Sequence, residues 1–170
     1  MRVLGIDPGT AVLGYGVVDG EATQQPRLIE CGTLTTRARD PLSSRLRVLH
    51  DGVAALLARH LPSAMAVETA FYGRNVRTAV VLSHARGVIL LAAELAGVEI
   101  AEYAPALIKK TIVGRGAALK PQVGYMVAQM LRLRTAPTPS DAADGVAVAL
   151  THWMLATRRS RLPQPMASRL

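Results

Sequence analysis

The stretch RVLGIDPGTAVLGYGVVD, Arg2 to Asp19, holds two short apolar runs with a single acid, Asp7, at the end of the first. Pro8, Gly9 and Thr10 between the runs are turn chemistry, so the stretch reads as strand, turn, strand. A D-x-G-T turn between strands can hold the phosphates of a nucleotide through its backbone N–H groups. A lone carboxylate at a strand end can equally hold a metal ion. Taken alone, the stretch leaves both uses of Asp7 open.

Working outward, Arg27–Thr35 is a third β-like run after a short polar connection, and the three runs form an antiparallel meander. The period then changes. Leu42, Leu46, Leu49, Val53, Leu56 and Leu57 mark one helix face over 41–60. Ala64–Glu68 is a short strand ending in an acid, and a loop with Phe71, Tyr72, Gly73, Arg74 and Asn75 follows it. A second long helix over 76–95 stops at Gly97, and Val98–Tyr103 reads as a fifth strand. Next come a short helix after Pro105 carrying Lys109 and Lys110, a VGRGAALK loop, and a helix over 122–133 with Pro121 at its start. The final helix runs over 141–158. This order predicts an α/β fold, a mixed five-stranded sheet with helices on both faces, and one layout sets the fourth strand parallel to the first. Asp7 and Glu68 then end neighbouring strands at one edge of the sheet.

At 170 residues, half of them hydrophobic, the chain is read as one domain over 1–157 with a basic, mobile tail over 158–170. Lys and Arg number 20 against 12 Asp and Glu, a net charge of +8. That excess points to a polyanionic partner or an anionic membrane surface. The opening residues are interrupted by Asp7 and Pro8, unlike a signal peptide. The apolar region from Ala79 to Ala93 is crossed by His84 and Arg86 and reads as too short and too polar to span a bilayer. The single cysteine, Cys31, cannot form an internal disulfide, which suits the cytoplasm, and it reads as a small core residue.

Asp7 and Glu68 each terminate an apolar strand, where an unpaired carboxylate is costly. Asp141 and Asp144, in SDAADG, project from one face at the start of the last helix. Four carboxylates from three elements can thus meet, and hard cations such as Mg²⁺ bind through a few carboxylates plus water and phosphate. Each acid also has a plain alternative: Asp141 as a helix N-cap, Asp144 facing the helix dipole, Glu68 paired with an arginine, Asp7 stabilising its turn. The combination favours a shared site over four unrelated roles.

With these motifs in order, the chain resembles the RuvC Holliday-junction resolvases. The resemblance rests on GIDPGT, VETAFYGRN around Glu68, LSHARGV at Leu82–Val88, TIVGRGAALKPQV at Thr111–Val123 and SDAADGVAVALTH at Ser140–His152, and covers residues 1 to about 155. It implies a ribonuclease-H-like fold, a homodimer, and Mg²⁺-dependent cutting of four-way DNA junctions in recombination and repair. The expected products are paired symmetric nicks with 5′-phosphate and 3′-hydroxyl ends, and the expected companion is a branch-migration helicase. It places the catalytic, metal-holding acids at Asp7, Glu68, Asp141 and Asp144, junction-facing lysines at Lys109 and Lys120, and a DNA-probing aromatic at Phe71. Thr69, Ala70, Tyr72, Gly73 and Arg74 depart from the family's common E-Q-V-F-M-A-K-N.

Phosphodiester hydrolysis needs an attacking water, a stabilised pentacoordinate phosphate and a relieved leaving oxygen, which a pair of Mg²⁺ ions (or Mn²⁺ in their place) can supply. Lys109 and Lys120 then meet phosphates, and Arg74, Arg77, Lys110 and Arg115 extend the basic surface. Phe71 is the only phenylalanine and sits in a loop three residues after Glu68, placed to stack on or wedge between unpaired bases, with Tyr72 able to share the role. Core packing is the competing view of Phe71. His152 stands about 16 Å along the helix from Asp141, too far for a metal, and reads as core or a support to the site. His84 reads as interfacial or structural, on an apolar helix that offers a dimer surface. Three rival readings remain: a sugar-kinase or actin-like ATPase, which needs a second such domain; a non-catalytic junction-binding module; and a nuclease acting on RNA–DNA hybrids or structured RNA.

Overall fold

The protein is described by a computed structural model covering residues 1–69 and 76–161. Its elements in order are β1 (Arg2–Asp7), β2 (Val12–Asp19), β3 (Arg27–Thr35), α1 (Leu42–His60), β4 (Ala64–Glu68), α2 (Val76–Leu95), β5 (Glu99–Tyr103), α3 (Pro105–Val113), α4 (Lys120–Met130) and α5 (Ser140–Arg161). The strands form one sheet ordered β3-β2-β1-β4-β5. The first three pair antiparallel, while β4 lies parallel to both β1 and β5. Ile6 pairs with Val67, so the next residue on each strand brings Asp7 level with Glu68.

Side chains alternate across a strand, and that alternation divides the core in two. Leu4, Ile6, Leu13, Val17, Met65 and Val67 face α1 and α2, where they meet Leu49, Val53, Leu56, Ala85 and Ile89. Val3, Val18 and Ala66 face the other way, onto α3, α4 and α5, among Ile108, Val123, Val146 and Ala149. By the same period Asp7 and Glu68 belong to the α5 side.

Glycine sets how closely α5 can lie. A Cβ on Gly5 would come 2.3 Å from the Ala149 nitrogen and the Gly145 carbonyl, and one on Gly14 would come 1.9 Å from the Asp141 carbonyl. The helix therefore rests on bare backbone along β1 and β2, and its first turn is seated directly over Gly14, the residue paired with Asp7. Packing at this distance gives the start of α5 little freedom to shift.

Two helix boundaries differ from the sequence reading. The apolar period continues through Leu133, but α4 ends at Met130, and Arg132 takes a left-handed φ of 52°. Leu131 and Leu133 still pack on the core from this turn, which explains why the period outlasts the helix. Helix α5 continues to Arg161, past the expected end at residue 158, and residues 162–170 of the expected tail lie outside the described residues. The apolar region over 79–93 is also part of a longer helix than the sequence reading measured against a bilayer. At 20 residues, α2 is long and apolar enough by composition to cross a bilayer. Its Ala85, Ile89, Ala92 and Ala93 are buried against the sheet and α1, while Val76 and Leu95 are 75% and 72% exposed.

Candidate active site

Three elements deliver four acids to one end of the sheet. Asp7 and Glu68 close the parallel neighbours β1 and β4, and Asp141 and Asp144 occupy the first turns of α5. Carboxylate oxygens of Asp7, Asp141 and Asp144 lie within 4.8 Å of one another. Glu68 stands outside that trio but lines the same 220 Å³ cleft, with Asp7, Asp144, Lys109 and Lys120. Pro105, Ile108, Val123 and Ala147 give the cleft apolar walls, residues that carry no charge signal in the sequence.

Crowded acids in a partly dry cleft resist ionisation. Burial first, then the charges of Asp144 and Asp141, push the Asp7 carboxyl up to about 6, with Lys120 opposing. Burial followed by Asp7 and Asp144 raises Glu68 to about 7, against the pull of Lys120 and Lys109. Lys120 Nζ donates to Asp144 Oδ2 at 2.7 Å and stands 4.0 Å from Asp141 Oδ1. That hydrogen bond is the main reason the Lys120 ammonium is held above its ordinary pKa. The two ammonium groups of Lys120 and Lys109 do not neutralise four carboxylates. An all-oxygen donor set that is short of positive charge fits a hard divalent cation.

The turn that carries Asp7 is braced from outside. The Thr10 carbonyl accepts from Thr36 Oγ1 at 2.5 Å and from Arg45 Nη2 at 2.7 Å, and Arg45 Nε donates to Thr36 Oγ1 at 3.0 Å. The Thr36 N–H adds a bond to the Ala11 carbonyl at 2.9 Å. Sequence reasoning missed this brace, because Arg45 sits within a helical period that gives no hint of a partner 35 residues earlier.

Of the other predicted residues, Lys109 lines the cleft. Lys110 and Arg115 are exposed and are not among its lining residues, and Arg77 is exposed in the first turn of α2. Phe71, Tyr72 and Arg74 lie outside the described residues. His152 is buried with its Nδ1 2.8 Å from the Tyr103 hydroxyl, in keeping with a core or supporting role. Exposed His84 lines an apolar groove on α1 and α2 with Leu46, Val76 and Val80. Cys31 is half-buried against the core, and burial raises its thiol pKa.

Compared with known proteins, residues 3–152 match the family described as crossover junction endodeoxyribonuclease RuvC. The RuvC of Halorhodospira halophila is 52% identical over 152 residues, which is 89% of each chain. The structure of Thermus thermophilus RuvC in complex with Holliday junction substrate superposes with a TM-score of 0.85 at 37% identity, over 93% of this chain and 96% of that one. The yeast mitochondrial Holliday junction resolvase, at 13% identity and a TM-score of 0.68 over 94% of this chain and 81% of its own, shares the fold. The expected ribonuclease-H-like arrangement is thus present.

Proposed function

Because the chain belongs to the family of RuvC crossover junction endodeoxyribonucleases, we propose that it resolves four-way DNA junctions by hydrolysing phosphodiesters at the cleft beneath the start of α5. The observation that carries the site assignment is the approach of Asp7, Asp141 and Asp144 to within 4.8 Å in a chain of net charge +8. A polyanion is drawn to such a chain, yet at this one place it meets carboxylates, an arrangement that needs a cation between them.

Nucleases of this family use a divalent metal, and Asp7, Asp144 and Glu68, with Asp141 beside them, are the residues that would hold Mg²⁺ here, with Mn²⁺ as a substitute. When bound, the metal activates water and relieves charge on the departing 3′-oxygen. Asp7 stands centrally between the Asp141/Asp144 pair and Glu68. Asp141 is the more open of the helix pair, 37% exposed against 15% for Asp144, and lies beyond hydrogen-bond reach of Lys120. It is free to accept at Oδ1 the proton of a water attacking phosphorus. The P–O3′ bond then breaks and the departing 3′-oxygen takes a proton from solvent water, leaving a 5′-phosphate and a 3′-hydroxyl. Lys120 is positioned to exchange its Asp144 bond for a phosphate oxygen, and Lys109 approaches the same cleft from α3.

Arg74, Arg77, Lys110 and Arg115 extend the DNA-binding surface beyond the cleft. Phe71, assisted by Tyr72, follows Glu68 closely in sequence and serves to stack on or part the bases at the branch point. Two copies associate through the apolar groove of α1 and α2, so that two clefts address symmetry-related strands and nick them in pairs. The enzyme works in the cytoplasm beside a branch-migration helicase.

Cleavage of a labelled four-way junction, a linear duplex and an RNA–DNA hybrid, each with Mg²⁺ and with chelator, tests the reading. Symmetric nicks at the junction that require Mg²⁺ are expected. Degradation of the hybrid instead would replace the junction assignment with a ribonuclease one, and binding without cleavage would leave a junction-binding module.

A further inference from the structure

The connection between β3 and α1 emerges at the same end of the sheet as the cleft. Thr35 pairs with Val12 and Gly14 pairs with Asp7, so the chain leaves β3 beside the turn that follows Asp7. Its root does not float. Thr36 is bonded to Ala11 and Thr10, and Arg45 ties both Thr36 and Thr10 to α1. Beyond this anchor, Arg37 and Arg39 are exposed, and neither guanidinium has an ion-pair partner among the described residues. The connection carries one acid, Asp40, whose N–H closes a turn on the Arg37 carbonyl at 3.0 Å. Arg2, Arg47, Arg59 and Arg86, by contrast, are each paired with a carboxylate.

The strand order sets these arginines on the opposite flank of Asp7 from Lys109, which is carried by the helix that follows β5. We propose that Arg37 and Arg39 form a second phosphate-binding contact for the nucleic-acid substrate, gripping the duplex arm on the β3 side of the cleft. The assignment rests on the nuclease reading above. Two strand spacings separate β3 from β1, about 10 Å. At about 3.4 Å of axial rise per nucleotide, the gripped phosphates lie about three nucleotides from the scissile one. Phosphate contacts fix register without reading sequence, and a contact whose root is bonded to the turn after Asp7 holds that register relative to the site itself.

The test is equilibrium binding of a fluorescent four-way junction in chelator across a salt series. Three proteins are compared: wild type, Arg37→Ala/Arg39→Ala, and Arg27→Ala/Arg158→Ala, which removes the same charge from exposed positions at the far end of the sheet. The Arg37/Arg39 variant is expected to bind about tenfold more weakly and to lower the log–log salt slope by about 1.8, the value for two lost phosphate contacts. The Arg27/Arg158 variant is expected to change Kd by less than about twofold, as only long-range charge is lost. Neutral methylphosphonates at the second to fourth phosphates from the cut should weaken the wild type and leave the Arg37/Arg39 variant unaffected. Equal behaviour of the two double variants overturns the proposal. A wild type with no preference for junction over linear duplex overturns the parent reading instead, and the salt slopes on linear duplex still decide whether the connection touches phosphate.

Discussion

The two faces of the sheet are built from the same strands yet solve different problems. Toward α1 and α2 the strands present Leu4, Ile6, Leu13, Val17 and Met65, bulky residues that are fully buried. Toward α5 they present Gly5, Gly14, Gly16 and Ala66 beside Val3 and Val18, with Asp141, Gly145, Val146 and Ala149 against the glycines. Bulk separates elements and stabilises by area, about 1.5–3 kcal/mol for each fully buried aliphatic side chain. Smallness lets backbones meet, and it is on the close-packed face that the four carboxylates converge. The bulky face carries stability on its inside and an exposed apolar surface, Val76, Val80 and Leu91, on its outside.

Of the changes that break this contrast in packing, the largest effect is expected where the close approach is tightest. Gly14→Val places atoms where the Asp141 carbonyl already stands, so α5 must lift from β2. The expected cost is about 3 kcal/mol in denaturant unfolding. Junction cleavage by the remaining folded protein should fall about 100-fold, since Asp141 and Asp144 shift from Asp7 by an ångström or so. Normal cleavage by Gly14→Val would show that the seating of α5 does not govern the site.

A charge on the outside of the other face comes next. Val80→Glu puts a carboxylate in the groove with Leu46 and Val88, where a second copy is proposed to pack. Sedimentation should show the dimer dissociation constant raised by about 100-fold or more, with paired nicks replaced by single ones. An unchanged dimer would move the interface elsewhere.

The smallest effect is a gain. Asp7 and Glu68 carry folded-state pKa values of about 6 and about 7, above the ordinary 3.8 and 4.5. The folded protein therefore binds their protons more tightly than the unfolded chain does. Metal-free stability falls as pH rises from about 4 to about 7, and the full penalty persists above that window. In chelator at pH 8, Glu68→Gln should melt about 3 °C higher than wild type, and the gain should vanish near pH 4. A variant less stable than wild type at pH 8 would mean that Glu68 is not strained by its neighbours.

These contrasts also explain what could be read from the sequence. Strand ends with acids, Asp7 and Glu68, are legible because a carboxylate closing an apolar run is unusual, and the parallel pairing of β1 with β4 is one layout that the element order allows. The glycines of β1 and β2 were visible as letters, but their function was not. What they accommodate is a helix more than 120 residues later in the chain. The Arg45 brace was hidden for the same reason, since a long-range hydrogen bond leaves no local period. The end of α4 is not legible in the period, because Leu131 and Leu133 keep an apolar rhythm after the helix has stopped. Lys120 was expected at the end of a loop, and its place in the first turn of α4 is what brings Nζ to Asp144.

The central claim is that the acids at the start of α5 and at the ends of β1 and β4 act as one metal-dependent nuclease site. Single-turnover cleavage of a four-way junction by Asp7→Asn in Mg²⁺, on protein shown by its melting curve to be folded, tests it most directly. A loss of about a thousandfold or more is predicted, because Asp7 stands in the carboxylate trio and beside Glu68. Cleavage at the wild-type rate would contradict the account.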